Sequence, residues 1–262
     1  MHLRLTLFFS IAFAFSAPAD TLEKFVTEGL SQFYGRSIER MKTLELDTVM
    51  ARKNPFLFRA KNPANAEGFI ASLLEAHVSS QEETFFGTFL EQTAIHICSE
   101  ARGGRKSAIE GIDLEFEDKS TKTKYIISIK SGPNGNSDQI KKMRDHFLQA
   151  RRILKTNTSD GAKLVAVHGC CYSKKSREDK GDHVKLCGQR FWSLISDDDD
   201  FYLKLMEAIG KAAEKQKAGF ASEYEKTLAR FIAEFGENYC DADGNILWDK
   251  LLRYNSAAPE KQ

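Results

Sequence analysis

The chain has 262 residues, 42% hydrophobic and 29% charged, which is long enough for a sizeable core and too apolar for a disordered segment. A formal net charge of +1 excludes a uniformly basic coat, though not a basic face offset by acidic surface elsewhere. Five cysteines, an odd count with two adjacent, exclude a disulfide scaffold and favour a reducing compartment.

The chain opens with a short leader. Residues 1–19 carry His2 and Arg4, the apolar run LTLFFSIAFAF, and Ala17 and Ala19 in the A-x-A pattern of a secretory signal. The run is too short to span a membrane. It reads as a signal peptide, as a mis-assigned start, or as an apolar helix packed on the core. The rest of the chain favours a cytoplasmic protein, with export as the alternative. Thr21 to Met50 has helical spacing, and Asn54-Pro55 ends that pattern. Phe56, Leu57 and Phe58 are expected in the core. Ala64 to Val78 reads as a further helix, and Ser79-Ser80-Gln81-Glu82 as the start of another that runs to Glu100. On it, Glu91 interrupts a face of small and apolar residues formed by Gly87, Ala94, Ile95 and Cys98. It is either a half-exposed glutamate or an acid directed at a site.

Arg102 to Ser107 is a basic, glycine-rich turn without the spacing of a phosphate loop. Arg105 and Lys106 on it are candidates for DNA-backbone contact. Ile109 to Glu117 alternates as a half-buried strand, with Ile112, Leu114 and Phe116 on one side and Asp113, Glu115 and Glu117 on the other. A polar turn, Asp118 to Lys124, leads to a second strand, Tyr125 to Lys130, with Ile126, Ser128 and Lys130 on one face. Such a hairpin can set Asp113 beside Lys130. A carboxylate that holds a divalent cation and an ammonium that orients water or neutralises developing charge are the minimum for metal-assisted phosphodiester hydrolysis. Glu115 is placed for a second metal or for solvent, and an amphipathic hairpin with solvated charges is the plain alternative.

Beyond Gly132-Pro133-Asn134-Gly135, a helix from Asp138 to about Lys155 carries Ile140, Met143, Phe147, Ala150 and Leu154 as its apolar stripe. Its remaining surface is basic, with Lys141, Lys142, Arg144, Arg151, Arg152 and Lys155, and suits phosphates or simply solvent. Asn134 and Asn136 precede it as possible DNA contacts. Gln139, on its first turn, is within reach of a neighbouring site, and Asp138 and Asp145 are reserve carboxylates. Ala162 to Val167 reads as a central strand. His168, Cys170, Cys171, His183 and Cys187 do not have paired zinc-ligand spacing and fit buried thiols better. Lys174 and Lys175 lie on a charged loop suited to DNA. Helices follow the KLCGQRFWSLIS string, and Asp241 to Asn245 reads as a turn.

Asp113 followed by Ser128-Ile129-Lys130 resembles the motif of the PD-(D/E)xK nucleases. The strings EGIDLEF, YIISIKSGPN, RKNPFLFRAKN and KLCGQRFWSLIS resemble the PmeII-like type II restriction endonucleases, over about Leu22 to Asn255. Two features depart from the pattern: Ser128 stands where most such nucleases have Asp or Glu, and the loop after Lys130 lacks a tryptophan following Asn134. The resemblance implies an α/β fold with a small mixed sheet flanked by helices. It organises the chain as a helical region over residues 20–80, a nuclease core over 81–196, a helical region over 197–255 and a tail over 256–262. It also implies Mg²⁺-dependent cleavage of double-stranded DNA at a short palindromic site by a homodimer, with a cognate DNA methyltransferase in the same system and no membrane partner. Asp113 and Lys130 would be catalytic, with Ser128 and Gln139 beside them. Glu91 is the preferred further acid and metal ligand, and Glu115 the second. A structure-selective repair nuclease and a DNA-binding protein with a decayed site are the alternatives.

Overall fold

The computed structural model describes residues 19–157, 163–177 and 180–258. The leader expected over residues 1–19 lies outside them except for Ala19, as does the end of the tail. The elements in chain order are α1 (Ala19–Lys42), α2 (Leu46–Ala51), α3 (Pro55–Lys61), α4 (Ala66–Arg102), β1 (Arg105–Lys106), β2 (Leu114–Asp118), β3 (Thr123–Lys130), α5 (Ser137–Asn157), β4 (Lys163–Cys170), β5 (Val184–Cys187), α6 (Gln189–Ser196), α7 (Phe201–Glu214), α8 (Lys217–Tyr239) and α9 (Trp248–Ser256). Among the described residues no helix is long and apolar enough to cross a membrane.

The chain divides into two compact units. Among the described residues, one joins residues 19–24 to those of 93–205, and the other joins residues 25–92 to 206–258.

The first unit is built on a five-stranded mixed sheet in the order β1-β2-β3-β4-β5. The β1–β2 and β2–β3 pairs are antiparallel, and β3–β4 and β4–β5 are parallel. The hairpin turn is held by Asp118, whose Oδ1 accepts from the Ser120 backbone N–H at 2.9 Å. α5 is the crossover between the parallel strands β3 and β4, as such a connection requires. It buries Met143, Phe147, Ala150 and Leu154 on Ile112, Ile126 and Ala166. Ile140 of the expected stripe is instead 40% exposed, on the first turn beside Gly135. The opposite face of the sheet receives α6, where Gly169 leaves room for the Phe191 ring and Trp192 Nε1 donates to the Cys171 carbonyl at 2.8 Å. An α/β fold with a small mixed sheet flanked by helices is therefore present, as the sequence predicts.

The second unit is helical. Its core includes Val49, Phe58, Phe69, Ile70, Leu74, Phe231, Phe235 and Leu251. Three local expectations are corrected in this helical part of the chain. Residues 66–102 form one helix rather than two, because no proline or glycine interrupts the stretch around Ser79 and Ser80, and Ser80 stays within the ladder while its carbonyl also accepts from Thr84 Oγ1. The expected first helix is two, α1 and α2, separated at Thr43 to Glu45. Phe56 and Leu57 are 66% and 52% exposed. Asn54 caps a short helix there through the N–H groups of Phe56 and Leu57, and successive helical residues point about 100° apart, so only Phe58 turns inward.

Candidate active site

The register defines one face of the sheet. Glu115 pairs with Ile126, Ser128 with His168, and Lys130 with Cys170, while His168 and Cys170 pair with Lys185 and Cys187 on β5. Residues directly paired across strands share a face, so these groups lie on the side that carries Ile126 and Ala166 and that α5 partly covers.

Asp113 completes this face. It precedes β2, where the ladder to β3 begins, and its backbone N–H bonds the Ile127 carbonyl at 2.9 Å. β3 runs on past this point, and the Asp113 carboxylate takes the place of a strand partner there. Oδ2 accepts from the Ile129 backbone N–H at 2.6 Å and lies 3.4 Å from Ser128 Oγ. Burial pushes the Asp113 carboxyl above its ordinary value, opposed by the Ile129 N–H, the Lys130 charge, the Ser128 hydroxyl and the Lys106 charge. Asp113 and Lys130 are thus electrostatic neighbours at the carboxyl end of β3, with Lys130 exposed and Ser128 buried.

The approach to Asp113 depends on Gly111. It has φ +75°, and a side chain there would collide with the His146 ring of α5. We expect Gly111→Ala to cost about 2 kcal/mol or more, read as a lower denaturant midpoint, and to displace Asp113 so that any activity carried by it falls.

The other sequence candidates have distinct surroundings. Glu115 is only 7% exposed and bonds Arg105 at 2.8 Å and Lys124 at 3.4 Å, so two cations already compensate its charge. Arg105 and Lys106 form an edge strand rather than the expected turn, because their backbones pair with Glu115 and Leu114. Asn136 and Gln139 cap α5 reciprocally: Asn136 Oδ1 accepts from the Gln139 N–H at 2.8 Å, and Gln139 Oε1 from the Asn136 N–H at 3.2 Å. Asn134, Lys141, Lys142, Lys174 and Lys175 are exposed. Arg144 is bidentate to Asp182, and Arg151 donates to the Leu164 and Asp182 carbonyls, so part of the basic surface of α5 pins the segment before β5. Glu91 is half-buried on α4, within the helical unit.

Two residues of this face were not expected at the site: His168, considered in the sequence only as a zinc ligand, and Lys185. His168, 6% exposed, is pushed down to about 4 by burial first and then by the charges of Lys185, His183, Lys130 and Lys180. Lys185 Nζ donates to the Pro133 carbonyl at 2.6 Å and so fastens the loop that follows Lys130. Neither signal is readable locally, since both arise from pairing across strands. Because the folded His168 titrates below its unfolded value, the unfolded chain binds the extra proton between about pH 6.5 and 4. Stability is therefore full above that window and falls as pH drops through it, by about 3 kcal/mol from this group. His168→Gln should flatten that part of a melting-temperature profile against pH.

Cys98, Cys170, Cys171 and Cys187 are buried free thiols. Among the described residues no group of three or more His, Cys, Asp or Glu side chains is placed to hold a metal. Mg²⁺ makes a smaller demand, since one carboxylate, retained waters and a substrate phosphate can satisfy it. The desolvated Asp113 carboxylate, held by one backbone N–H on Oδ2, fits that role.

The family model for type II restriction endonuclease EcoO109I matches residues 20–217. No curated protein matches the sequence significantly.

Proposed function

The chain belongs to the type II restriction endonuclease EcoO109I family, nucleases that act on DNA, and from that premise we propose a Mg²⁺-dependent enzyme that cuts both strands at a short palindromic site. The observation that carries the reading is Asp113: a half-buried carboxylate seated on the Ile129 N–H, beside the charge of Lys130. Asp113 would hold the cation. Bound Mg²⁺ would supply polarisation of the scissile phosphate and a bound water of lowered pKa. Lys130 neutralises charge that develops on the phosphate and orients the attacking water. Ser128 donates to Asp113 and cannot itself replace a carboxylate. Glu115 would have to lose its two ion pairs before it could serve as a further acid.

Exposed Lys106, Lys141, Lys142, Lys174 and Lys175 are proposed backbone contacts, with Asn134 beside them. A palindromic site calls for a homodimer, and a cognate methyltransferase for protection of the host DNA. Within the family, the strings around Asp113 and Lys130 support a PmeII-like enzyme. Four buried free cysteines and a DNA substrate support the cytoplasm.

Incubation of the purified protein with phage DNA and Mg²⁺ tests the reading. Discrete fragments support it, and a smear replaces it with a non-specific nuclease. Retardation without cutting favours a DNA-binding protein with a decayed site, the reading to which Ser128 and the single carboxylate at Asp113 point.

A further inference from the structure

The described surface of the sheet unit carries one aromatic ring that neither the fold nor the chemistry above uses. Tyr172 lies two residues past the end of β4 and is 60% exposed. The parallel pairing of β3 and β4 continues past the strand ends, since the Cys171 N–H bonds the Lys130 carbonyl at 3.0 Å. Two residues beyond the Lys130–Cys170 pair, Gly132 therefore faces Tyr172 on the side that carries Asp113, Ser128 and Lys130. A Cβ at Gly132 would lie 2.5 Å from the Tyr172 hydroxyl oxygen, so the missing side chain is what seats that hydroxyl.

An isolated exposed tyrosine needs no explanation. This one is presented rigidly. Ser173 adopts φ +107°, a costly conformation for a residue with a side chain. It is held by the Lys175 N–H on Ser173 Oγ at 3.1 Å and by Gly188, where a Cβ would meet the Ser173 carbonyl at 2.7 Å. On the other side, the Trp192 indole N–H holds the Cys171 carbonyl. Lys174 and Lys175 are exposed on the same turn. A stiffened turn that leaves its aromatic in solvent, about 7 Å along the strand direction from Lys130, suits a ligand that is already seated at Lys130.

We propose that Tyr172 contacts the DNA backbone, its hydroxyl donating to an oxygen of the phosphate next to the scissile one, with Gly132 setting the position of the ring. The inference rests on the DNA-cleavage reading above. Tyrosine hydroxyls are common donors to DNA phosphates, and the contact locates the duplex without reading its sequence.

The test uses the full chain, phage DNA and Mg²⁺. Tyr172→Phe keeps the ring and loses the donor, and should raise KM on the order of tenfold with kcat within about twofold of the parent. Its dependence of binding on salt should keep the parent slope, whereas Lys174→Ala should flatten it, because only the lysine displaces counterions. Gly132→Ala should reproduce the KM effect in the parent and add nothing in a Tyr172→Ala background. Unchanged KM in both Tyr172→Phe and Tyr172→Ala, with parent cleavage intact, overturns the inference alone. A parent that neither binds nor cuts DNA overturns the cleavage reading and this inference together. A parent that binds without cutting moves the same comparison to Kd.

Discussion

Asparagine in place of Asp113 should lower cleavage of phage DNA by about a thousandfold or more while gel retardation stays within about threefold. The loss corresponds to several kcal/mol of charge stabilisation at the phosphate, which a neutral amide cannot provide by holding a cation. Binding persists because asparagine has nearly the same shape and its carbonyl can still accept from the Ile129 N–H. A second readout separates this from misfolding. Burial raises the Asp113 carboxyl, so between its unfolded and folded values the folded protein binds the extra proton. Stability from this group is then present at low pH and lost as pH rises through the folded value. Without metal, Asp113→Asn should therefore melt at or above the parent temperature. A variant that cuts at the parent rate would remove Asp113 from the site.

Lys130→Met should lower kcat by about a hundredfold or more and weaken binding far less. An ammonium near a phosphate is worth most when charge develops there, so the loss falls on the transition state rather than on the ground-state complex. Lys130 is exposed at the end of β3, and methionine keeps most of its apolar stem, so the melting temperature should scarcely move. The salt dependence of binding should weaken by no more than one phosphate contact. An equal rise in KM with unchanged kcat would instead make Lys130 one more backbone contact.

Local pattern carried much of what the chain shows. Alternation over Leu114 to Phe116 and Tyr125 to Lys130 marks the hairpin, although Ile112, ahead of β2, packs with Ile126 under α5 instead of joining Leu114 and Phe116, and the stripe Met143, Phe147, Ala150 and Leu154 marks the helix that covers it. Other features were misjudged where short-range signals compete. Ser79 and Ser80 resemble a helix start but are absorbed into α4, and Phe56 and Leu57 resemble a buried run but sit on the outer side of α3. The Asn136–Gln139 cap was legible as an N-x-x-Q pattern and draws both side chains to the helix terminus.

The residue types and their spacing by themselves determined only that Asp113 shares a side with Glu115 and Lys130 a side with Ser128, because alternation is a property of each segment alone. Tertiary structure alone decided how the neighbouring carboxylates are held. Glu115 is buried in ion pairs with Arg105 and Lys124, whereas Asp113 is half-buried on a backbone N–H near the Lys130 charge. It also decided that Lys185 grips the Pro133 carbonyl and that Tyr172 faces Gly132. These contacts join positions about 10 to 50 residues apart through strand register, and register is set by the packing of the whole sheet rather than by any one segment.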